Sequence, residues 1–110
     1  MQLTEENHAL ILTLENSFIT SKNSSPALFL DRDGVVIQDK HYISRPSEVE
    51  LIGGVADLIL ACKDYGIPTV IVTNQSGINR GYFGWSDYEE VTYRLLECLG
   101  PYAQPTAIYA

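Results

Sequence analysis

The sequence predicts an α/β domain built on a parallel sheet. Three short apolar segments rich in strand-forming residues alternate with two segments whose apolar residues recur at helical spacing. Strands that alternate with helices in this way form parallel sheets with right-handed crossovers. The length of 110 residues is enough for one small domain and too short for two. One α/β unit with a single core is therefore expected.

The first 26 residues are predicted to form an N-terminal helix and a linker. Residues 5–18 are assigned to the helix because four apolar residues recur on one stripe, namely Leu10, Ile11, Leu14 and Phe18. A polar stretch with turn residues follows and ends at Pro26. The domain itself is predicted to occupy residues 27–110.

Within that domain, strands are expected at residues 27–30, 69–74 and 106–110. The first connecting helix should end before Gly66, which a proline follows two residues later. The second should begin with a capping box, "SDYE", at residues 86–89. The stripes expected to face the core are Val55, Leu58, Ile59 and Cys62 in the first helix and Tyr88, Val91, Leu95 and Leu99 in the second.

Charge and composition exclude several classes of function. The net charge is -7 and the pI is about 4.5, which argues against binding to nucleic acid or anionic membranes through bulk electrostatics. The apolar runs are too short to span a membrane, and acids stand where a secretory signal would carry Lys or Arg. The two cysteines form no disulfide framework and no metal-binding spacing. A cytoplasmic protein is expected.

Residues that could carry chemistry follow two of the predicted strands. Asp31 and Asp33 come after the first, and a polar stretch that begins at Thr73 follows the second. Ligands bind beyond the carboxyl ends of strands in parallel sheets. Two carboxylates this close repel each other unless a cation separates them or one is protonated, and Mg²⁺ would supply that cation while attracting a phosphate. On its own, D-x-D-G is weak evidence for such a site, because it more often marks a simple turn.

The stretches "FLDRDGVV" and "VTNQSGINRGYF" resemble the haloacid dehalogenase (HAD) superfamily of phosphohydrolases, within the branch that contains the heptose bisphosphate and histidinol phosphatases. The resemblance covers residues 27–110. It implies a Rossmann-like parallel sheet without a large cap domain, and hydrolysis of a small phosphorylated sugar through an aspartyl-phosphate. It further implies that Asp31 is the nucleophile, that Asp33 is the general acid and base, and that both hold Mg²⁺. The residues expected to bind phosphate or substrate are Asp39, Lys40, His41, Tyr42, Thr73, Asn74, Gln75, Ser76 and Arg80.

The same resemblance implies that parts of a complete family site are missing. Family members carry a zinc-binding loop, a later Lys and an acidic pair that completes the Mg²⁺ shell, and no counterparts are found before Ala110. The chain is therefore expected to be truncated after the third strand and inactive on its own. Its first strand would become an exposed sheet edge, open to self-association. Residues 5–18 are the spare element that could cover that edge.

Three functional hypotheses remain open. The chain is a phosphatase of a sugar phosphate in incomplete form, or a catalytically inactive remnant that serves as a partner-binding fragment. A third reading keeps the chemistry and changes the substrate to histidinol phosphate or a polynucleotide 3′-phosphate, against which the acidic charge argues in the nucleic-acid case.

Overall fold

The structure, a computed structural model, describes residues 2–6, 9–13, 26–74, 78 and 80–110, with backbone only for the first two ranges. The elements in chain order are β1 Gln2–Glu6, β2 Ala9–Thr13, β3 Leu28–Asp31, a 3₁₀ turn Pro46–Glu48, α1 Val55–Asp64, β4 Thr69–Val72, α2 Trp85–Leu99 and β5 Ala107–Tyr109.

One sheet of five strands runs in the order β1-β2-β5-β4-β3. The three strands from the predicted domain, β3, β4 and β5, are parallel to one another. Their register aligns Leu30 with Ile71 and Ile71 with Ile108, so that these three buried residues share one face of the sheet. The α/β class and the parallel sheet predicted from the sequence are therefore confirmed.

The prediction of a helix at residues 5–18 is wrong. Strands β1 and β2 form an antiparallel hairpin, and β2 pairs with β5 through Ile11, Leu12 and Thr13. The rest of the predicted helix lies outside the described residues. The segment "ALILTL" also alternates with a period of two, and pairing with the free edge of β5 decides between the two periods. The expectation that this segment covers the edge of β3 is also wrong, because the hairpin lies at the opposite end of the sheet.

The two helices bury the predicted apolar stripes. In α2 all four expected residues are buried, and in α1 the exception is Leu58, which is 43% exposed. Each large apolar side chain removed from water contributes about 1.5–3 kcal/mol to the folded state. Neither of the described helices is long and apolar enough to cross a membrane.

The helix ends are set by local chemistry. Gly66 has a φ of +69°, and its N–H donates to Lys63 while the N–H of Ile67 donates to Cys62, which closes α1 as predicted. The predicted capping box at residues 86–89 is wrong by two positions. Helix α2 begins after Gly84, whose N–H donates to Asp87 Oδ2 at 2.9 Å.

Candidate active site at the ends of β3 and β4

The two acids lie where β3 leaves the core. Burial alternates along this segment, with Leu30 and Arg32 buried while Phe29 and Asp31 are exposed. This alternation follows from the period of two in extended chain. Asp31 is thereby presented to solvent at the carboxyl end of the strand, and Asp33 is half-buried one step beyond it.

Backbone hydrogen bonds continue past the strand ends and fix the second acid beside β4. The N–H of Arg32 donates to the carbonyl of Val72 at 2.9 Å, and the N–H of Thr73 donates to the carbonyl of Tyr109 at 2.9 Å. The hydroxyl of Thr73 then donates to Asp33 Oδ2 at 3.4 Å, across 40 residues of sequence. The structure therefore brings together the two strand ends that the sequence singled out.

A tight turn after Asp33 returns the chain to the core. The N–H groups of Val36 and Ile37 donate to the carbonyl of Arg32, and the N–H of Gly34 donates to the carbonyl of Ile37. Gly34 has a φ of +88°, a conformation that other residues adopt only with strain. Val36 and Ile37 are fully buried and anchor the turn beneath the two acids.

Arg32 is a residue of the site that no sequence motif assigns a role. Its Nε lies 3.3 Å from Asp33 Oδ1 and 3.2 Å from Asp33 Oδ2, and its Nη2 lies 3.0 Å from Oδ1. The side chain of Arg32 is only 5% exposed, against 29% for Asp33. The alternation of buried and exposed residues along β3 is the signal that could have revealed Arg32. If this alternation continues past the end of the strand, the base between the two acids is buried.

The loop expected to contact substrate is held by its own side chains. Asp39 Oδ1 accepts a hydrogen bond from the N–H of His41 at 3.1 Å, and Lys40 pairs with Glu50 at 3.0 Å near the surface. His41 and Tyr42 have φ values of +56° and +58°, in the left-handed region that is uncommon for residues with side chains. Such strained positions often occur in binding loops.

An aromatic contact links this loop to the glycine-rich stretch after β4. The ring of Tyr42 lies tilted at 55° to that of His41, with 4.3 Å between centroids, and meets Tyr82 edge-on at 5.0 Å. Arg80 and Asn74 are exposed, while Gln75 and Ser76 lie outside the described residues. Among residues 26–74 and 80–110, no hydrogen bond or ion pair joins Asp39, Lys40, His41 or Tyr42 to the two acids of the β3 end.

Tyr88 of α2 lies close enough to Arg32 to feel its charge. Burial raises the pKa of the Tyr88 hydroxyl above its ordinary value, and the neighbouring Thr92 hydroxyl and the charge of Arg32 offset part of that rise. The Tyr88 oxygen and Arg32 Nη1 are both buried without a hydrogen-bond partner of good geometry. Two polar groups therefore remain unsatisfied beneath the site.

The residues present fit only part of a magnesium site. Asp31 could offer a carboxylate oxygen and Asp33 its backbone carbonyl oxygen, and Mg²⁺ takes oxygen ligands of these kinds. Within residues 26–74 and 80–110, however, no three acidic, histidine or cysteine side chains gather to hold a metal ion. The described chain can thus supply part of a near-octahedral shell of about six oxygens and would need further ligands, such as water or phosphate, to complete it.

Comparison with known proteins places this arrangement in context. No protein-family profile matches the chain. A D-glycero-β-D-manno-heptose-1,7-bisphosphate 7-phosphatase from Mesorhizobium japonicum is 53% identical over 74 residues, which cover 67% of this chain and 34% of the relative. The enzyme of the same name from Helicobacter pylori is 44% identical over 77 residues, or 70% of this chain and 44% of the relative. The chain therefore spans less than half the length of these relatives.

Solved structures agree with the sequence relatives. A protein from Mesorhizobium loti described as a HAD-like phosphatase superposes with a TM-score of 0.81 at 40% identity, over 93% of this chain and 48% of that one. The chain is homologous to the N-terminal part of the HAD-like phosphatases. A second HAD-like neighbour, the D,D-heptose 1,7-bisphosphate phosphatase of B. bronchiseptica, superposes with a TM-score of 0.65 at 29% identity, over 72% of this chain and 45% of that one. That structure was solved with magnesium and phosphate.

Proposed function

We propose that this chain provides the nucleophile half of a Mg²⁺-dependent phosphomonoesterase. The proposed substrate is a small phosphorylated sugar, D-glycero-D-manno-heptose 1,7-bisphosphate, because the relatives are named for it. One observation supports the proposal above the others. Asp33 meets Thr73 at the shared end of β3 and β4, two residues after the exposed Asp31.

The chemistry divides one difficult hydrolysis into two steps. In the first, a carboxylate oxygen of Asp31 forms a bond to phosphorus, the bond from phosphorus to the sugar oxygen breaks, and Asp33 donates its proton to that oxygen. In the second, Asp33 takes a proton from water, the water oxygen attacks phosphorus, and Asp31 is released with inorganic phosphate. The hydroxyl of Thr73 would donate a hydrogen bond to the phosphoryl oxygens.

An anionic nucleophile and an anionic phosphate repel each other, so the reaction needs positive charge at the site. Mg²⁺, held by the Asp31 carboxylate and by the backbone carbonyl of Asp33, would neutralise phosphoryl charge when bound. Arg80, an exposed cation of the glycine-rich stretch, would add a fixed positive charge. The sugar would contact residues 39–42 and 74–76, at a site without a large cap.

A second candidate function is phosphate binding without turnover. It is favoured by one observation, the pair of carboxylates without a third metal-ligating side chain among the described residues. The two candidates differ in whether Asp31 becomes phosphorylated, since weak phosphate binding needs no covalent bond to the protein.

The experiment that tests the proposal uses the chain alone and a chimera. In the chimera, the matching residues of this chain replace their counterparts in the Mesorhizobium japonicum relative, to which they are 53% identical. Phosphate release from the heptose bisphosphate is measured with Mg²⁺. We expect turnover in the chimera, background hydrolysis in its Asp31→Asn variant, and no change in Asp64→Asn, which alters an exposed carboxylate at the end of α1. The chain alone should be much slower than the chimera. Retained turnover in Asp31→Asn would contradict the proposal.

A further inference from the structure

The geometry around Arg32 points to a role that the acids alone do not explain. We infer that Arg32 is a positioning residue, which holds the Asp33 carboxylate in one orientation for proton transfer. This inference rests on the proposed function, because it concerns how the proton carrier of that reaction is aimed. Its structural content, a carboxylate fixed by the preceding guanidinium, stands on the contacts of this chain.

The contacts fix both oxygens of the carboxylate at once. The edge of the guanidinium formed by Nε and Nη2 faces Asp33, with three N···O distances between 3.0 and 3.3 Å. A planar fork of this kind imposes direction as well as attraction, which a Lys ammonium cannot do. Rotation of Asp33 to another staggered side-chain conformer would break all three contacts together.

The two oxygens of Asp33 are held unequally. Oδ1 receives two contacts from Arg32, at 3.0 Å from Nη2 and 3.3 Å from Nε, whereas Oδ2 receives Arg32 Nε at 3.2 Å and the Thr73 hydroxyl at 3.4 Å. A carboxylate accepts about four hydrogen bonds in all. Oδ2 gives up its long contact to Thr73 most easily, and it is therefore the oxygen that we assign to carry the proton.

Burial of Arg32 argues against a purely structural purpose. Its side chain is 5% exposed and Nη1 has no hydrogen-bond partner, so the folded state keeps a buried charge that is incompletely paired. An apolar residue of similar volume at such a position is often neutral or stabilising. The unfavourable burial is understandable if the guanidinium serves the orientation of Asp33.

The test measures the orientation of Asp33 directly in the 110-residue chain. Three-bond Hα–Hβ couplings of Asp33 are recorded by NMR for the unchanged chain and for Arg32→Met, Arg32→Lys and Thr73→Val. We expect one dominant conformer in the unchanged chain and in Thr73→Val, and couplings averaged over the staggered conformers in Arg32→Met. In Arg32→Lys, the Asp33 couplings should lie between those of the unchanged chain and those of Arg32→Met. A single Asp33 conformer in a folded Arg32→Met chain would overturn the inference.

A second measurement covers the case in which Arg32→Met does not fold. The Nε–H signal of Arg32 is followed in the unchanged chain and in Asp33→Asn, which is close to isosteric. Exchange protection that falls at least several-fold in Asp33→Asn supports the pairing, and equal exchange in both chains refutes it. Neither measurement needs turnover. Loss of Asp31-dependent hydrolysis with Asp33 still fixed would therefore reject the proposed function alone.

Discussion

The two sides of the three parallel strands differ in both pairing and chemistry. On one side, β5 pairs with β2 of the N-terminal hairpin, and β1 is the terminal strand of the described sheet there. On the other, β3 is the terminal strand of the described sheet, and it carries Phe29, which is 62% exposed, and the exposed Asp31. An unpaired edge is a template for another strand, and proteins normally cover or charge it. Among the described residues, the exposed Asp31 and this unpaired edge thus lie on the same strand.

The largest effect should follow from a change in the chemistry of the β3 side. Asp33→Asn removes the group that protonates the leaving oxygen and activates water, so kcat in the chimera should fall by about 10²–10⁴-fold. Tyr109→Phe at the end of β5 is the matched change on the other side and should leave kcat nearly unchanged. Steady-state kinetics with the heptose bisphosphate check both. Similar losses in the two variants would mean that the sides do not differ in function.

The next effect separates the orientation of Asp33 from general stability. Arg32→Met in the chimera should slow hydrolysis of alkyl phosphates by roughly 10²-fold, because their leaving oxygen needs the proton that Asp33 carries. Hydrolysis of 4-nitrophenyl phosphate, whose leaving group needs little protonation, should slow far less. The ratio of kcat/KM for the two substrates is the readout. Equal slowing of both substrates would point to general damage.

The difference in strand pairing between the two sides is tested by measuring self-association of the chain. We expect the chain to form dimers or larger species through the β3 edge, and Phe29→Lys should shift it toward the monomer by placing a charge there. Tyr65→Lys is the control, since Tyr65 is 83% exposed and lies in the turn after α1 and not in a strand of the sheet. Light scattering at several concentrations measures both. Deletion of residues 1–25 removes β1 and β2, so β5 should become the terminal strand on that side, and solubility should fall further. If the unchanged chain is a monodisperse monomer, the expected association through the β3 edge is contradicted.

The smallest effect concerns Tyr88, which lies at neither edge. Its buried hydroxyl lacks a well-formed hydrogen bond, so Tyr88→Phe should be neutral or stabilise the fold by about 1 kcal/mol. Because its pKa is raised in the folded state, the unfolded chain loses this proton first, at about pH 10. That contribution to stability is complete below pH 10 and is lost as pH rises through the folded pKa. Urea unfolding at pH 8 and pH 11 should show a weaker pH dependence in Tyr88→Phe.

Local patterns were sufficient to predict most of the fold after residue 26. The β-branched run at β4 predicts a strand and the apolar stripe of α2 predicts a helix, and the structure contains both elements. The N-terminal segment carries two periods, since Leu10, Leu12 and Leu14 fit a strand while Leu10, Ile11 and Leu14 fit a helix. Only the presence of a free edge at β5 resolves that ambiguity, and no local pattern contains it.

In the candidate site, too, one part follows from local sequence patterns and another part depends on the packed structure. Asp33 and Thr73 could be expected to lie close together, because each follows a strand of the parallel sheet and ligands bind beyond the carboxyl ends of such strands. The role of Arg32 depends on which face of the chain is buried after β3 has ended, and on a turn that begins at Gly34. Those are properties of the packed structure, so the sequence pointed to the acids and not to the base between them.

The central claim is that Asp31, at the open edge, is the residue that accepts the phosphoryl group. Sodium borohydride reduces an acyl phosphate to an alcohol, so a chimera quenched during turnover and reduced should carry homoserine at position 31. Mass spectrometry of the peptide that contains residues 28–37 locates the change. The account predicts homoserine at position 31, present only with substrate and absent in Asp31→Asn. Modification at position 33, or sustained hydrolysis with no modified aspartate under conditions that trap the intermediate of the parent relative, would contradict it.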